Sequence, residues 1–192
     1  MGLKNYKLGE LIEITDERNY SGKYSLDSVK GISTEKCFID TKANMDGVSL
    51  DSYKVVNHGE FSYVPDTSRR GDKIALAFNS SIGSVLISSI YTTFRICRDD
   101  LLLPEYLYMF FNRPEFDRYS RFNSWGSARE TFSWEDFCDI DITLPSIEQQ
   151  RKYVNVYLSL QNNLVAVGTN TKMSRERCLQ IIDEIKTVTK EL

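Results

Sequence analysis

The chain has one histidine, His58, and four cysteines, Cys37, Cys97, Cys138 and Cys178, no two of them close together. A single imidazole leaves little for a histidine-based triad or a histidine-rich metal site. Scattered cysteines offer neither zinc-ligand spacing nor a disulfide framework, and they fit a reducing compartment. No stretch approaches the roughly 18 apolar residues that a membrane span needs. The opening Met1–Leu8 lacks the apolar run of a signal peptide, and Tyr6 stands where a myristoylation signal wants Ser or Thr. The expectation is a cytoplasmic protein. Phosphate-cradling motifs, GK[ST] after a glycine-rich loop or GxGxxG, are absent. Pro65-Asp66 followed by Asp72-Lys73 has acid and lysine adjacent, where nuclease chemistry wants a residue between them. Ser127 and Cys138 have no base beside them in sequence. No catalytic set, metal site or cofactor site is therefore expected. A basic excess is also missing: the net charge is −3, so a nucleic-acid binder built this way needs its cations on one face.

What is present is enough for one good core: 192 residues, 41% apolar. The first half reads as short strands. Candidates lie at Val29–Ile32, Cys37–Asp40, Val55–Val64 (strand, glycine turn, strand), Ile74–Phe78, Gly83–Ile87 and Tyr91–Ile96, the last rich in β-branched and aromatic residues. Helices follow. One has Pro104 in its first turn, another covers Pro114–Phe122, and a short one over Trp134–Phe137 is capped by Ser133. A final strand, Ile140–Leu144, is ended by Pro145, and Ser146 caps a long helix. Strands first, then helices with one closing strand, predict an α+β fold over residues 1–145 and a separate helical region over 146–192.

In that last region a stripe steps alternately by four and three: Tyr153, Tyr157, Leu160, Leu164, Val167, Thr171, Ser174, Cys178, Ile181, Ile185, Val188, Leu192. This is the seam of a coiled coil, because 3.5 residues per turn keeps one face on a partner. Helical throughout, 153–192 would reach about 60 Å at about 1.5 Å per residue, a strut for assembly. Tyr157, Leu160, Leu164, Val167, Cys178, Ile181, Ile185 and Val188 are the expected dimerisation residues. The same stripe could instead dock on the chain's own core. Gly168 and the run Thr169–Thr171 leave a hairpin of two roughly 20-residue helices as an alternative to the rod.

Two loops concentrate cations. Pro65–Lys73 carries Ser68, Arg69, Arg70 and Lys73 between apolar strands. An arginine fork can grip guanine or a phosphate at two points, and hydroxyls suit phosphate oxygens. The second, Gly126–Glu130 with Ser127 and Arg129, follows Arg118, Arg121 and Asn123, with Trp125 nearby. Each alone is also what a solvated turn looks like; two in one small domain point to an anionic ligand.

The residues then resemble a known family, the specificity subunits of type I restriction-modification systems, and in particular one half of such a subunit. The likeness runs from Tyr6–Ile14 through Gly59–Pro65, Ser68–Ile74, Gly83–Ser88, Tyr91–Phe94 and Leu102–Leu107 to Gly126–Glu130. It ends at the exit Ile142-Thr143-Leu144-Pro145-Ser146-Ile147-Glu148-Gln149-Gln150. Each motif is loose; their order and spacing are more specific. The resemblance implies that 1–145 is a DNA target-recognition domain and 146–192 a spacer helix that pairs with its twin. It implies a non-catalytic subunit reading half of an interrupted double-stranded site; the loop residues Ser68, Arg69, Arg70, Lys73, Arg121, Ser127 and Arg129 are then the expected DNA contacts. It also implies methyltransferase partner subunits that hold S-adenosylmethionine, and restriction subunits in systems that cleave. With one domain and one helix, a homodimer would rebuild the two-domain whole. The alternative is an adaptor or regulator of such subunits that does not read DNA.

Overall fold

A computed structural model of the chain describes residues 3–68, 73–127 and 129–166, with side chains of the last helix through 161. The fold is α+β. Among the described residues ten short strands form one four-stranded sheet and three two-stranded pairs, all antiparallel, with four α-helices.

The ends of the strand-rich region meet. Strand β1 (Lys4–Lys7) pairs with β10 (Asp141–Leu144), Lys4 opposite Leu144 and Lys7 opposite Asp141. In β10 the alternation is strict, Ile142 and Leu144 buried, Asp141 and Thr143 exposed, as a one-sided strand requires. The domain is thus closed immediately before helix α4 (Ile147–Ala166).

The central sheet runs β2 (Ile12–Thr15), β9 (Thr92–Ile96), β6 (Phe61–Tyr63), β7 (Leu76–Phe78). Every residue of β6 is buried because both sheet faces are covered. Phe61 and Tyr63 point into an aromatic core. Phe61 stacks on Phe94 at 5.1 Å between centroids and Tyr63 on Phe137 at 4.7 Å, while Phe111 meets Phe61 edge-on at 5.9 Å. Offset and edge-on pairs of this kind add about 0.5–1.5 kcal/mol beyond their buried area. The other face is small: Ala75, Ala77 and Val64 pack with Ile32, under the hairpin of β3 (Lys30–Ile32) and β4 (Phe38–Asp40).

The sequence suggests local strand–turn–strand units at 55–64 and 74–87. Pairing instead runs across them: β6 with β7, and β5 (Lys54–Val56) with β8 (Val85–Ile87). The arms 54–63 and 76–87 pair as one long ribbon, bent in the middle. The bend is held by Asn79, which is buried; its Nδ2 donates to the Val56 and Gly83 carbonyls, each at 2.9 Å. Gly59, at φ 84°, supplies the left-handed turn on the other arm.

Helices α1 (Pro104–Phe111), α2 (Pro114–Phe122) and α3 (Trp134–Cys138) close the aromatic core. The two proline starts and the Ser133 cap fall where the sequence places them; Ser133 Oγ accepts from the Asp136 N–H at 3.0 Å. Helix α4 enters through Gln150, which has no exposed surface. Its Nε2 donates to the carbonyls of Leu101 (2.8 Å) and Pro145 (3.0 Å), and its Oε1 accepts from the Leu103 N–H (3.0 Å). Tyr153, Val154 and Tyr157 are buried in the same core, with Leu160 packed on its edge.

Gln150→Leu would fill the space and strand three backbone groups, the Pro145 carbonyl buried and the Leu101 carbonyl and Leu103 N–H partly buried. It should cost at least about 2 kcal/mol, since each unpartnered buried group costs about 1–3. The measurement is a fall in the urea midpoint with an unchanged m-value.

Candidate nucleic-acid interface

The two cation-bearing loops, about sixty residues apart in sequence, lie side by side. The Thr67 N–H donates to the Glu130 carbonyl, and the Phe132 N–H to the Pro65 carbonyl, both at 2.9 Å. Thr67 Oγ1 also donates to the Glu130 carbonyl at 3.2 Å. On its other side Thr131 exchanges two backbone bonds with Trp125, at 2.9 and 3.1 Å. The result is a three-ply ribbon: 65–67, 130–132 and residue 125. Ser68 and the turn that carries Gly126, Ser127, Arg129 and Glu130 lie at the same end of it.

Each tip is shaped by local chemistry. Asp66 Oδ1 accepts from both the Ser68 N–H (3.1 Å) and its hydroxyl (2.6 Å), an Asx turn. Gly126 sits at φ 141°, and a Cβ there would lie 2.0 Å from the Arg129 carbonyl oxygen; only glycine permits this return. Ser127 and Arg129 are exposed on the tip. Arg121, from the last turn of α2, pairs with the Glu130 carboxylate, which ties the helix end to the same rim.

The descending arm of the first loop is fixed from below by a buried ion pair. Lys36, at φ 61° and only 4% exposed, lies in the turn between β3 and β4. Its Nζ donates to the Ile74 carbonyl at 2.6 Å and pairs with Asp117 of α2. Asp117 Oδ1 also accepts from the Ile74 N–H at 3.2 Å, and the Tyr108 hydroxyl donates to the Lys36 carbonyl at 2.8 Å. Burial pushes the Lys36 pKa down, against the opposing pull of Asp117. Lys73, next along the arm, pairs with Glu35 at 3.1 Å.

Of the expected DNA-facing residues, Ser68, Arg121, Ser127 and Arg129 come together on this rim, and Lys73 stands on the arm below it. Arg69 and Arg70 lie outside the described residues. Of the expected dimerisation residues, Tyr157 and Leu160 pack on the chain's own core. Leu164 lies in α4 beyond the described side chains, and Val167, Cys178, Ile181, Ile185 and Val188 lie outside the described residues. Sequence reading missed Thr67, Thr131, Lys36 and Asp117. Nothing in the local pattern marks them: Thr67, Lys36 and Asp117 act through partners more than sixty residues away, and Thr131 through a backbone rung that any residue type could form. Among the described residues no cluster of His, Cys, Asp or Glu could hold a metal ion. None of the helices there is long and apolar enough to cross a membrane. Cys37, Cys97 and Cys138 are free thiols.

The same fold recurs in the specificity subunits of type I restriction-modification systems, so the chain has a specificity-subunit fold. An HsdS subunit from Thermoanaerobacter tengcongensis matches with a TM-score of 0.58 and 20% identity, over 86% of this chain and 44% of that one. A chain from a structure of complex assembly and conformational transition in a type I system matches at 0.51 and 16%, over 97% and 44%. The type I S subunit from M. genitalium matches at 0.51 and 11%, over 88% and 41%. At these identities the shared property is the fold, and the chain spans less than half of each of those proteins. No family model and no curated protein matches the sequence.

Lys36→Met would leave Asp117 as a poorly compensated charge under α2. The expected loss is about 3–5 kcal/mol. Adding Asp117→Leu should recover part of it, measured as a coupling energy in a double-mutant cycle of urea unfolding.

Proposed function

We propose that this chain is a non-catalytic DNA-specificity subunit of a type I restriction-modification system. It reads one half of an interrupted double-stranded site through the joined rim of Ser68, Arg121, Ser127 and Arg129, with Arg69, Arg70 and Lys73 alongside. The observation that carries this reading is the backbone pairing of Pro65–Thr67 with Glu130–Phe132. Two loops that are unremarkable separately become one exposed, hydroxyl- and arginine-bearing surface on a specificity-subunit fold. A pre-shaped tip suits direct readout, because a base contact requires side chains held at fixed positions over a groove edge.

In this reading the reaction belongs to methyltransferase subunits, which bind S-adenosylmethionine and deliver the methyl group to the base. This chain supplies position. Restriction subunits join where the system cleaves, and the assembly works in the cytoplasm. A net charge of −3 is tolerable if partner subunits contribute much of the phosphate contact. The later part of the stripe, Leu164, Val167, Cys178, Ile181, Ile185 and Val188, pairs with that of a second copy. Two identical readers related by a two-fold axis then favour a palindromic, interrupted target. A first stretch docked on the domain and a later stretch paired with a second copy are compatible with one stripe, since the seam has no marker of where the domain ends.

The direct test expresses the chain with its methyltransferase subunits and sequences the methylome of the host. One bipartite motif, lost without this chain, is expected. Arg129→Ala should weaken binding to that motif by about 1–3 kcal/mol and relax one position of it. Unchanged affinity and preference would count against the rim as the reading surface. For the assembly, Ile181→Asp with Ile185→Asp should halve the sedimenting mass from two chains to one at micromolar concentration. A wild-type chain already monomeric there would overturn the homodimer.

A further inference from the structure

The rim carries two aromatic rings that its arginine chemistry does not use. Phe122 is 76% exposed and Trp125 63%, in a chain whose phenylalanines otherwise build the core. Phe122 is the last residue of α2, and Trp125 is the rung that closes the Gly126–Glu130 tip. They are three residues apart, and the backbone between them is clamped to the helix. Asn123 donates through both its N–H and its Nδ2 to the Tyr119 carbonyl, each at 3.0 Å, and the buried Ser124 donates through Oγ to the Ser120 carbonyl at 2.6 Å. The Arg121–Glu130 pair and exposed Arg129 flank them on the same rim.

Two large apolar rings kept in water on a rigid backbone are costly to a domain and gain it nothing in its own fold. Each ring would bury surface, at about 25 cal/mol per Å², only against an outside partner. Beside cations and hydroxyls, the partner chemistry that suits both is a nucleobase: a flat π face attached to a phosphate backbone. Side chains inserted between base steps are a known way to unstack and kink a duplex.

We propose that Phe122 and Trp125 form a stacking wedge that enters the base stack of duplex DNA beside the step contacted by Arg129. This rests on the DNA-reading function proposed above, and adds that the duplex is locally unstacked by this chain itself, before any partner subunit acts. Because Phe122 ends α2 and Trp125 is held by its two backbone bonds to Thr131, little loop ordering opposes insertion.

The test uses the full chain and a duplex recovered by it from a randomised pool, with 2-aminopurine placed at successive positions. Wild type should raise the fluorescence at one step, and Phe122→Ala and Trp125→Ala should each abolish that rise. Their affinity for the duplex should fall roughly five- to a hundredfold, the range that base–aromatic stacking covers. Phe122→Leu, still an apolar wedge, should keep most of the signal. Both rings are exposed, so the thermal midpoint should not move. If wild type recovers no duplex even when assembled with its methyltransferase subunits, the DNA-reading function fails and the wedge with it; if it recovers one only in that assembly, the same duplex and 2-aminopurine scan are used there. If wild type binds but no position brightens, or the alanine variants bind as wild type does, the wedge alone is wrong. Loss of methyltransferase assembly with DNA binding intact would likewise overturn it, and would make the rings a protein contact.

Discussion

Four backbone groups decide where this domain keeps its surface chemistry. The bonds from Thr67 to Glu130 and from Phe132 to Pro65 join the connection between β6 and β7 to the connection between α2 and α3. Backbone pairing is the right device for such a joint. It fixes register residue by residue, where packing of exposed side chains would leave two mobile loops at a variable distance. Everything on the rim inherits that register: the Asx turn at Asp66, the glycine return at 126, and the aromatic rung at 125. A shift by one residue would exchange inward and outward side chains along the ribbon.

The buried polar residues follow a common logic. Lys36, Asn79 and Gln150 are each nearly or fully buried, and each stands where two elements meet that apolar packing alone would not orient. Asn79 holds the bend of the long ribbon, Lys36 holds the arm of the first loop on α2, and Gln150 holds the start of α4 on the approach to α1. Burying such groups is unfavourable unless their hydrogen bonds are replaced. Replacement demands particular distances and angles, so the same groups that add little net stability discriminate strongly between one arrangement and its neighbours. The aromatic core supplies the bulk of the driving force, and these three joints supply the direction.

This division explains what could be read from the sequence. Helix starts at Pro104, Pro114 and Ser133 depend on local backbone chemistry and were legible, as were the short apolar strands and the α+β order. The loops with Arg129 and Ser68 were legible as candidates because their composition is unusual. Their contact was not, since no local pattern encodes the pairing of Thr67 with Glu130. Strand partners were illegible for the same reason: β5 and β6 are adjacent in sequence but bond to β8 and β7. Lys36 looked like any surface lysine. Its burial follows from α2 and the β3–β4 turn meeting, a fact of the tertiary fold. The exit Leu144-Pro145 with Gln149-Gln150 was recognisable as a pattern; the structure gives its reason, since Pro145 offers a carbonyl to the Gln150 carboxamide.

The C-terminal stripe shows a degeneracy of a different kind. Steps of four and three keep residues on one side of a helix whatever lies against that side. Tyr153 and Tyr157 satisfy the pattern by packing on the chain's own core, as coiled-coil residues satisfy it by packing on a partner. Period therefore reports that a face is covered and says nothing of what covers it. Residue type is more informative. The first two positions are tyrosines, and large aromatic rings suit an irregular globular core that already holds Tyr106, whose ring lies 6.3 Å from that of Tyr153. From Ile181 the stripe is Ile, Ile, Val and Leu, aliphatic residues that suit the regular holes of a helix pair. If a second copy binds there, the angle at which α4 leaves the domain fixes where the second domain falls. That angle is set at the first turn, by a glutamine side chain bonded to three backbone groups on two connecting segments.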